Sequence, residues 1–481
     1  MSKILVLGGG VSGHTAATFL RKWLGHEHEV TVVTPNRQWN WIPSNIWVGV
    51  GKMKKKQVLF DLEPIYRKAG IVYKQALARV IHPEGNSRVT IEYTSEGKAG
   101  EREDVAYDFL INATGPKLNF EATPGLGPHG GHTVSVCTAD HATEAAERLS
   151  STIAELKQGA RKTIVVGTGH GLCTCQGAAF EYLFNVDHEL RQAGVRDRVE
   201  LVWLSNESFL GDFGMGGMHL KQNGFVVSGS IFAESLFTER NIRWILGAHV
   251  TEVQEKLVKY ELLDGSSEEL SFDLAMLLPP FKGVGLKAED AAGEDITDRL
   301  FMPNGLMKVD ADYAAKPFED WSPDDWPRTL QNPEFANIFA VGIAFAPPHT
   351  ISKPLFSKSG TQITPTPPRT GMPSAMMGKA VAQSIRDMIE NGDTEATHTA
   401  SMAEMGAACV ASAGNGFFNG TAVSMTVFPI VPDFKRYPGG GRDLRYTSGE
   451  IGLAGHWIKV FLHYAFIWKA KLKPFWRVIP E

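Results

Sequence analysis

The stretch GTGHGLCTCQGAAFEY, residues 167–182, begins like a phosphate-binding turn and ends as a possible thiol site. Gly167 and Gly169 hold the first two glycine positions of a dinucleotide turn, but Leu172 takes the third. Cys173 and Cys175 follow at once. The thiolate is the reactive form of cysteine, and a cysteine near a helix N-terminus ionises more readily than a free one. Such a pair could admit electrons or sulfur at a turn that no longer binds a nucleotide. The plainer alternative is that both thiols pack under the turn as small apolar groups. The remaining cysteines, Cys137 and Cys409, stand far away along the chain. Four cysteines in 481 residues cannot build a disulfide framework. Cys-x-Cys with no second pair is also too tight for a usual zinc knuckle, so no metal is expected.

A second glycine turn lies at the N-terminus, where KILVLGGGVSGHTAATFLRKW reads as strand, turn and helix. Gly8, Gly10 and Gly13 complete G-x-G-x-x-G around Val11 and Ser12. The first glycine permits the tight turn, the second admits a pyrophosphate, and the third lets helix pack on strand. The helix N-terminus then holds the phosphates. An acidic residue is expected at the end of the next strand to hold a ribose. Thr34 stands there instead, and Asn36 could substitute. Downstream, YDFLINATGPKLN reads as a strand running into Thr114-Gly115, and FANIFAVGIAFAPP as a strand ending at Gly342-Ile343. The first resembles the A-T-G segment of flavoproteins with two dinucleotide domains. The second resembles their late flavin-contact strand, with Ile343 in place of the usual Asp.

Two strand-turn-helix units, the second inserted in the first, predict an α/β fold of two Rossmann-like doubly wound domains. Four segments are expected. The FAD-binding domain takes 1–120 and 301–400, the second Rossmann-like domain with its degenerate turn 121–300, and a C-terminal membrane-associating region 401–481. The chain begins MSK and runs into ILVLGGG, which reads as a strand rather than a signal peptide. A net charge of −5 gives no case for nucleic acid.

The sequence resembles the sulfide:quinone oxidoreductases, with the flavocytochrome c sulfide dehydrogenases as more distant relatives. The resemblance runs through IPSNIWVGVG, NATGPKL, VCTADHA, CQGAAFEY, PPFKGV, ANIFAVGIAFAPP, RTGMPSAMM and the C-terminal WIKVFLHYAFIWKAKLKPFW. It implies FAD, sulfide oxidation at cysteines on one flavin face, and quinone reduction on the other. Cys137 matches a cysteine that bonds to the flavin edge or holds sulfur there, and Cys175 one of two cysteines that pass sulfur near the flavin. His141 and Glu181 match polar residues that handle protons. Pro43 and Ser44 fall in a flavin-contact segment, and Lys435 matches a lysine near the quinone, with Phe417 and Phe428 as candidate slot residues. Arg369-Thr370-Gly371 would open a helix toward the flavin's pyrimidine end, where negative charge develops on reduction. The resemblance also implies a dimer or trimer.

One departure stands out. The family pattern places a second active thiol between the late flavin strand and the R-T-G helix start, yet residues 344–371 contain no cysteine. His349 and Thr350 stand near its place. Cys409 could fold back, Cys173 and Cys137 could cooperate with Cys175, or one thiol could serve alone. Residues 313–334, with two Trp, read as a surface loop or capping lid.

No run of about 20 apolar residues predicts a membrane span. In HWIKVFLHYAFIWKAKLKPFWRV, His456, Lys459 and His463 form a narrow polar stripe, with Trp457, Val460, Phe461, Tyr464 and Trp468 on the other sides. Lys469, Lys471, Lys473 and Arg477 add positive charge. That pattern predicts a monotopic helix in the interface of the cytoplasmic membrane, over residues 456–477, with its basic residues toward lipid headgroups. Competing readings are a type II NADH:quinone dehydrogenase and a non-catalytic flavoprotein subunit that docks a partner.

Overall fold

The computed structural model describes residues 1–369, 371–414 and 416–481, so Thr370 lies outside the described residues. Ile4–Leu7 is buried throughout, as a parallel strand covered on both faces requires. It sits in the middle of the first sheet. Parallel neighbours are Glu29–Thr34 on one side and Phe109–Asn112 on the other, and the late strand Ile338–Ala340 extends the row in parallel. Val72–His82, Arg88–Tyr93 and Arg102–Ala106 continue the opposite edge. Strands from both ends of the chain thus share one sheet, and most of the intervening segment forms a second unit, with Lys287–Ala288 returning to pair with Val72–His82.

That segment forms a four-stranded parallel sheet in the order Ile242–Ile245, Val199–Leu204, Lys162–Thr168, Leu274–Leu278. The fold is the expected pair of doubly wound α/β units. In the first, the helix Val11–Leu24 packs on the helix Gly371–Asn391. The approach is close because Gly378 lacks a side chain: a Cβ there would meet Ser12 O at 2.3 Å.

The C-terminal region builds a third sheet from Ala407–Ala413, Thr421–Val427 and Ser448–Gly452. The hairpin His219–Gln222 and Phe225–Ser228 from the second domain joins its far edge, through Lys221 and Ser448. Unpaired edge groups on Ser448–Gly452 are thereby partly covered.

The C-terminal helix Leu453–Ala470 is amphipathic in the inverted sense. His456, Lys459 and His463 are 0%, 9% and 2% exposed, while Phe461, Tyr464 and Trp468 are 69%, 60% and 48% exposed. The polar stripe points inward because buried polar partners await it there. Lys469 corrects the expectation of a lipid-facing basic tail. It is buried, and its Nζ donates to Ile479 O at 2.5 Å and to Glu481 Oε1 at 2.6 Å. Lys473 and Arg477 remain exposed. Among the described residues, no helix is long and apolar enough to cross a membrane.

Candidate functional site

The N-terminal glycine turn leaves room for a dinucleotide. Gly8 has φ +103, and a Cβ there would lie 2.1 Å from Ala113 O. A Cβ on Gly13 would lie 2.0 Å from Gly8 O, so strand and helix touch there. Gly10, in contrast, faces open space, with no atom within 4 Å of a Cβ. It caps the helix without a side-chain hydrogen bond. The first-turn N–H groups around Val11 and Ser12 have no intrahelical acceptors and are free for an anion. Gly342, φ +67, brings the late strand end against Ser12, where a Cβ would meet Oγ at 2.7 Å. Gly115, φ +69, also borders open space. These residues fit the diphosphate of FAD. Thr34 is buried and Asn36 exposed. Pro43 approaches Gly371 at the start of its helix, while Ser44 Oγ is engaged by His463 Nδ1 at 2.8 Å.

The second glycine turn is filled by the chain itself. Thr364 N donates to Gly171 O at 2.9 Å, Thr366 N donates to Cys173 O at 3.0 Å, and Thr174 Oγ1 donates to Pro367 O at 3.1 Å. A Cβ on Gly171 would strike Gln362 O at 2.5 Å. Residues 362–367, within the cysteine-free stretch, therefore roof the turn where a nicotinamide dinucleotide would lie. The following helix, Gln176–Gln192, starts only after Cys175, its N-cap in the left-handed conformation at φ 65. NADH is expected not to bind here. Calorimetric titration of the FAD-loaded protein with NADH should give no binding heat, and saturable binding would contradict the roofed turn.

All four thiols converge on this turn. A charge on Cys175 opposes ionisation of Cys137, Cys173 and Cys409 alike. Cys409, from strand Ala407–Ala413, leans on the first turn of the cysteine helix: a Cβ on Gly177 would lie 3.1 Å from its Sγ. Cys173 is fully buried and its Sγ donates to Leu278 O at 3.0 Å, the geometry of a packing residue rather than a nucleophile. Burial also raises the Cys175 thiol, reversing the expectation of a lowered pKa. The Thr174 hydroxyl and the buried Arg369 guanidinium oppose that rise. Burial pushes Cys137 and Cys409 up to about 11, with Glu181 adding to the rise at Cys409. All three are thus protonated at neutral pH and need a proton acceptor. Their alkylation by iodoacetamide should be slow at pH 7 and quicken as pH rises. A flat profile would contradict this.

Glu181 supplies an acceptor beside Cys409. Its Oε2 receives Lys459 Nζ at 2.9 Å, and its Oε1 receives Ser412 N at 3.2 Å. Burial raises its carboxyl, while the Lys459 charge works against that rise. The strand Ala407–Ala413 is a sheet edge, so its outward main-chain groups require side-chain partners. Ser412 O accepts from Asn185 Nδ2 at 2.8 Å and Trp47 Nε1 at 3.2 Å, and Val410 O accepts from Lys459 at 3.2 Å. Lys459, Ser412, Asn185 and Gly177 were missed as site residues. Only Lys459 carried any sequence signal, as part of the polar stripe.

Other expected residues sit elsewhere. Half-buried His141 packs edge-on to Phe120 and His129, and burial lowers its pKa. Arg369 does not reach outward: its Nη1 donates to Phe345 O at 2.6 Å and Ile343 O at 3.1 Å, beside Cys175. Phe417 is exposed and stacks on Trp457 at 5.1 Å. Phe428 meets Tyr446 edge-on, and Lys435 is exposed on a loop. His349, near the place of the missing thiol, is clamped by the 313–334 insert. It stacks on Trp321 at 4.1 Å and meets Asp325 at 3.3 Å.

A family model described as pyridine nucleotide-disulphide oxidoreductase matches residues 2–182, from the first glycine turn through the cysteine helix. The chain is a flavoprotein oxidoreductase. It is 28% identical to the sulfide-quinone reductase of Aquifex aeolicus over 97% of its own length and 91% of the relative's. The solved sulfide:quinone oxidoreductase of that organism superposes with a TM-score of 0.75 at 27% identity, covering 98% of this chain and 92% of the other. The chain is a homologue of the sulfide:quinone oxidoreductases. NDH2 from Plasmodium falciparum in complex with NADH reaches a TM-score of 0.60 at 14% identity over 98% of this chain and 96% of that one, a likeness of fold alone.

Proposed function

We propose that the chain is a monotopic FAD-dependent sulfide:quinone oxidoreductase, taking two electrons from sulfide at its thiols and delivering them to a membrane quinone. The observation that carries the reading is the second glycine turn, roofed by residues 362–367 and ringed by thiols instead of open to NADH. That arrangement also argues against the type II NADH dehydrogenase reading. FAD, held at Gly8, Gly10, Gly13 and the first-helix N-terminus, would supply two-electron chemistry between the two substrates.

The chain's own groups do the rest. Cys175 is the thiol that would hold the sulfur, whose two electrons FAD, when bound, would accept, and the Arg369 guanidinium favours the thiolate charge. Cys137 stands within electrostatic reach of Cys175 and would lie at the flavin edge. Glu181, held by Lys459, accepts a proton released from the thiols. His141 takes no direct part in this reading, because its ring contacts are Phe120 and His129.

The exposed aromatic face of the C-terminal helix supports membrane docking on the cytoplasmic membrane, with Phe417 and Trp457 beside it. A hydrophobic quinone would enter from that side, past Phe417 and Phe428, with Lys435 near its headgroup. Replacing Phe461 and Trp468 by Asp should release the protein from liposomes in a flotation assay while leaving its melting temperature nearly unchanged. Retained flotation would contradict this docking face. The function itself is tested by anaerobic reduction of a soluble quinone analogue with sulfide or NADH as donor. Turnover with sulfide and none with NADH is expected, and the reverse pattern would overturn the proposal.

A further inference from the structure

The chain lacks the second thiol that its relatives' sequence pattern places after the late flavin strand, and the segment in that place roofs the cysteine turn. Sulfur bound at Cys175 is therefore closed off on that side. On the other side lies Cys409. It sits against Gly177, two residues beyond Cys175, where the missing side chain makes room for its Sγ. Glu181, one turn further along the same helix, stands beside it.

Side chains alternate across a strand, so Cys409, Ala411 and Ala413 share one face of the third sheet. Gly177, Phe184, His188 and Arg191 recur at helical spacing on the cysteine helix. Beyond Cys409 the two surfaces part around a cavity of about 260 Å³, walled by Phe184, His188, Arg191, Ala411, Ala413 and Val423. The cavity thus lies along the face that carries Cys409, and its wall also holds Asp187, paired to Arg191 at 2.8 Å, with Glu239 and Arg240.

We infer that Cys409 is the second sulfur-carrying thiol, taking sulfane sulfur from a persulfide on Cys175 and holding it on the side of the cavity at Ala411 and Ala413. Glu181 takes the Cys409 proton. The Cys409 thiolate attacks the outer sulfur of Cys175–S–SH, an S–S bond forms at Cys409, and the Cys175 S–S bond breaks. Cys175 departs as a thiolate and recovers the proton. Cys175–S–SH and Cys409–SH become Cys175–SH and Cys409–S–SH, so no oxidant or reductant is consumed. The inference rests on the sulfur chemistry of the proposed function but not on sulfide as electron donor.

The test loads the oxidised, FAD-bound protein with inorganic polysulfide, which delivers sulfane sulfur directly to thiolates. After alkylation, peptide mass spectrometry reads the gain of one sulfur atom at each cysteine. The wild type should carry it on Cys175 and Cys409. Cys175→Ser should lower the Cys409 signal at least about tenfold, and Cys409→Ser should leave sulfur on Cys175. Gly177→Ala, which presses on the Cys409 Sγ, should slow transfer without affecting loading of Cys175. The flavin absorbance spectrum reports that each variant is folded. Unlabelled Cys409 in the wild type, or equal labelling in Cys175→Ser, would overturn the relay. Failure of sulfide as donor would show separately, in the quinone assay.

Discussion

Cys175→Ser is expected to keep its FAD and lose sulfide-dependent flavin reduction by more than about a thousandfold, the scale on which removal of a nucleophile acts. Cys175 is the residue where the site's features meet. It caps the helix after the roofed turn, its charge is felt by the other three thiols, and Arg369 stands near it. A serine hydroxyl fills nearly the same space, so the cradle around Gly10 should be untouched and flavin content should stay at the wild-type level. Stopped-flow absorbance under anaerobic conditions measures the loss. Reduction within tenfold of wild type would mean that another thiol is the point of attack.

The second large effect falls on stability. Lys459→Met should destabilise the protein by roughly 3–5 kcal/mol, because it strands the Glu181 carboxylate without its cation. Both partners are almost fully buried, and Lys459 also satisfies Val410 O on the sheet edge. Removing both charges should cost much less than removing one, since an apolar pair leaves no orphaned ion. Thermal melting of Lys459→Met and of the Glu181→Leu/Lys459→Leu double variant separates the cases. Equal melting temperatures for the wild type and Lys459→Met would refute the buried pair. The C-terminal helix is thus tied to the thiol site by an ion pair, and to the flavin-side segment by His463 and Ser44.

Features that depend on local spacing were readable from the residues. Gly8, Gly10 and Gly13 declare their turn because each glycine answers a steric demand within a few residues of itself. The degenerate turn at Gly167 was equally plain, since Leu172 replaces a glycine in a known frame. Helical periodicity gave the stripe of His456, Lys459 and His463, but periodicity does not say which face points inward. That depended on Glu181, Ser412 and Ser44, which reach the helix from distant segments. The roof over the cysteine turn left no local mark, because Thr364 and Thr366 use main-chain N–H groups that every such residue carries. Nor could the Cys175 pKa be read from its place at a helix start. The dipole argument is local, and burial, which outweighs it, is a property of the whole fold.

The most direct test of the account is an anaerobic titration of the FAD-bound protein with sulfide, followed by a quinone analogue, while flavin absorbance is recorded. The account predicts bleaching by about one sulfide per flavin, a two-electron donor meeting a two-electron acceptor. It predicts full recovery on quinone and no bleaching by NADH. A flavin that ignores sulfide and bleaches with NADH would contradict it, because the roofed turn would then have to open for the very ligand it excludes.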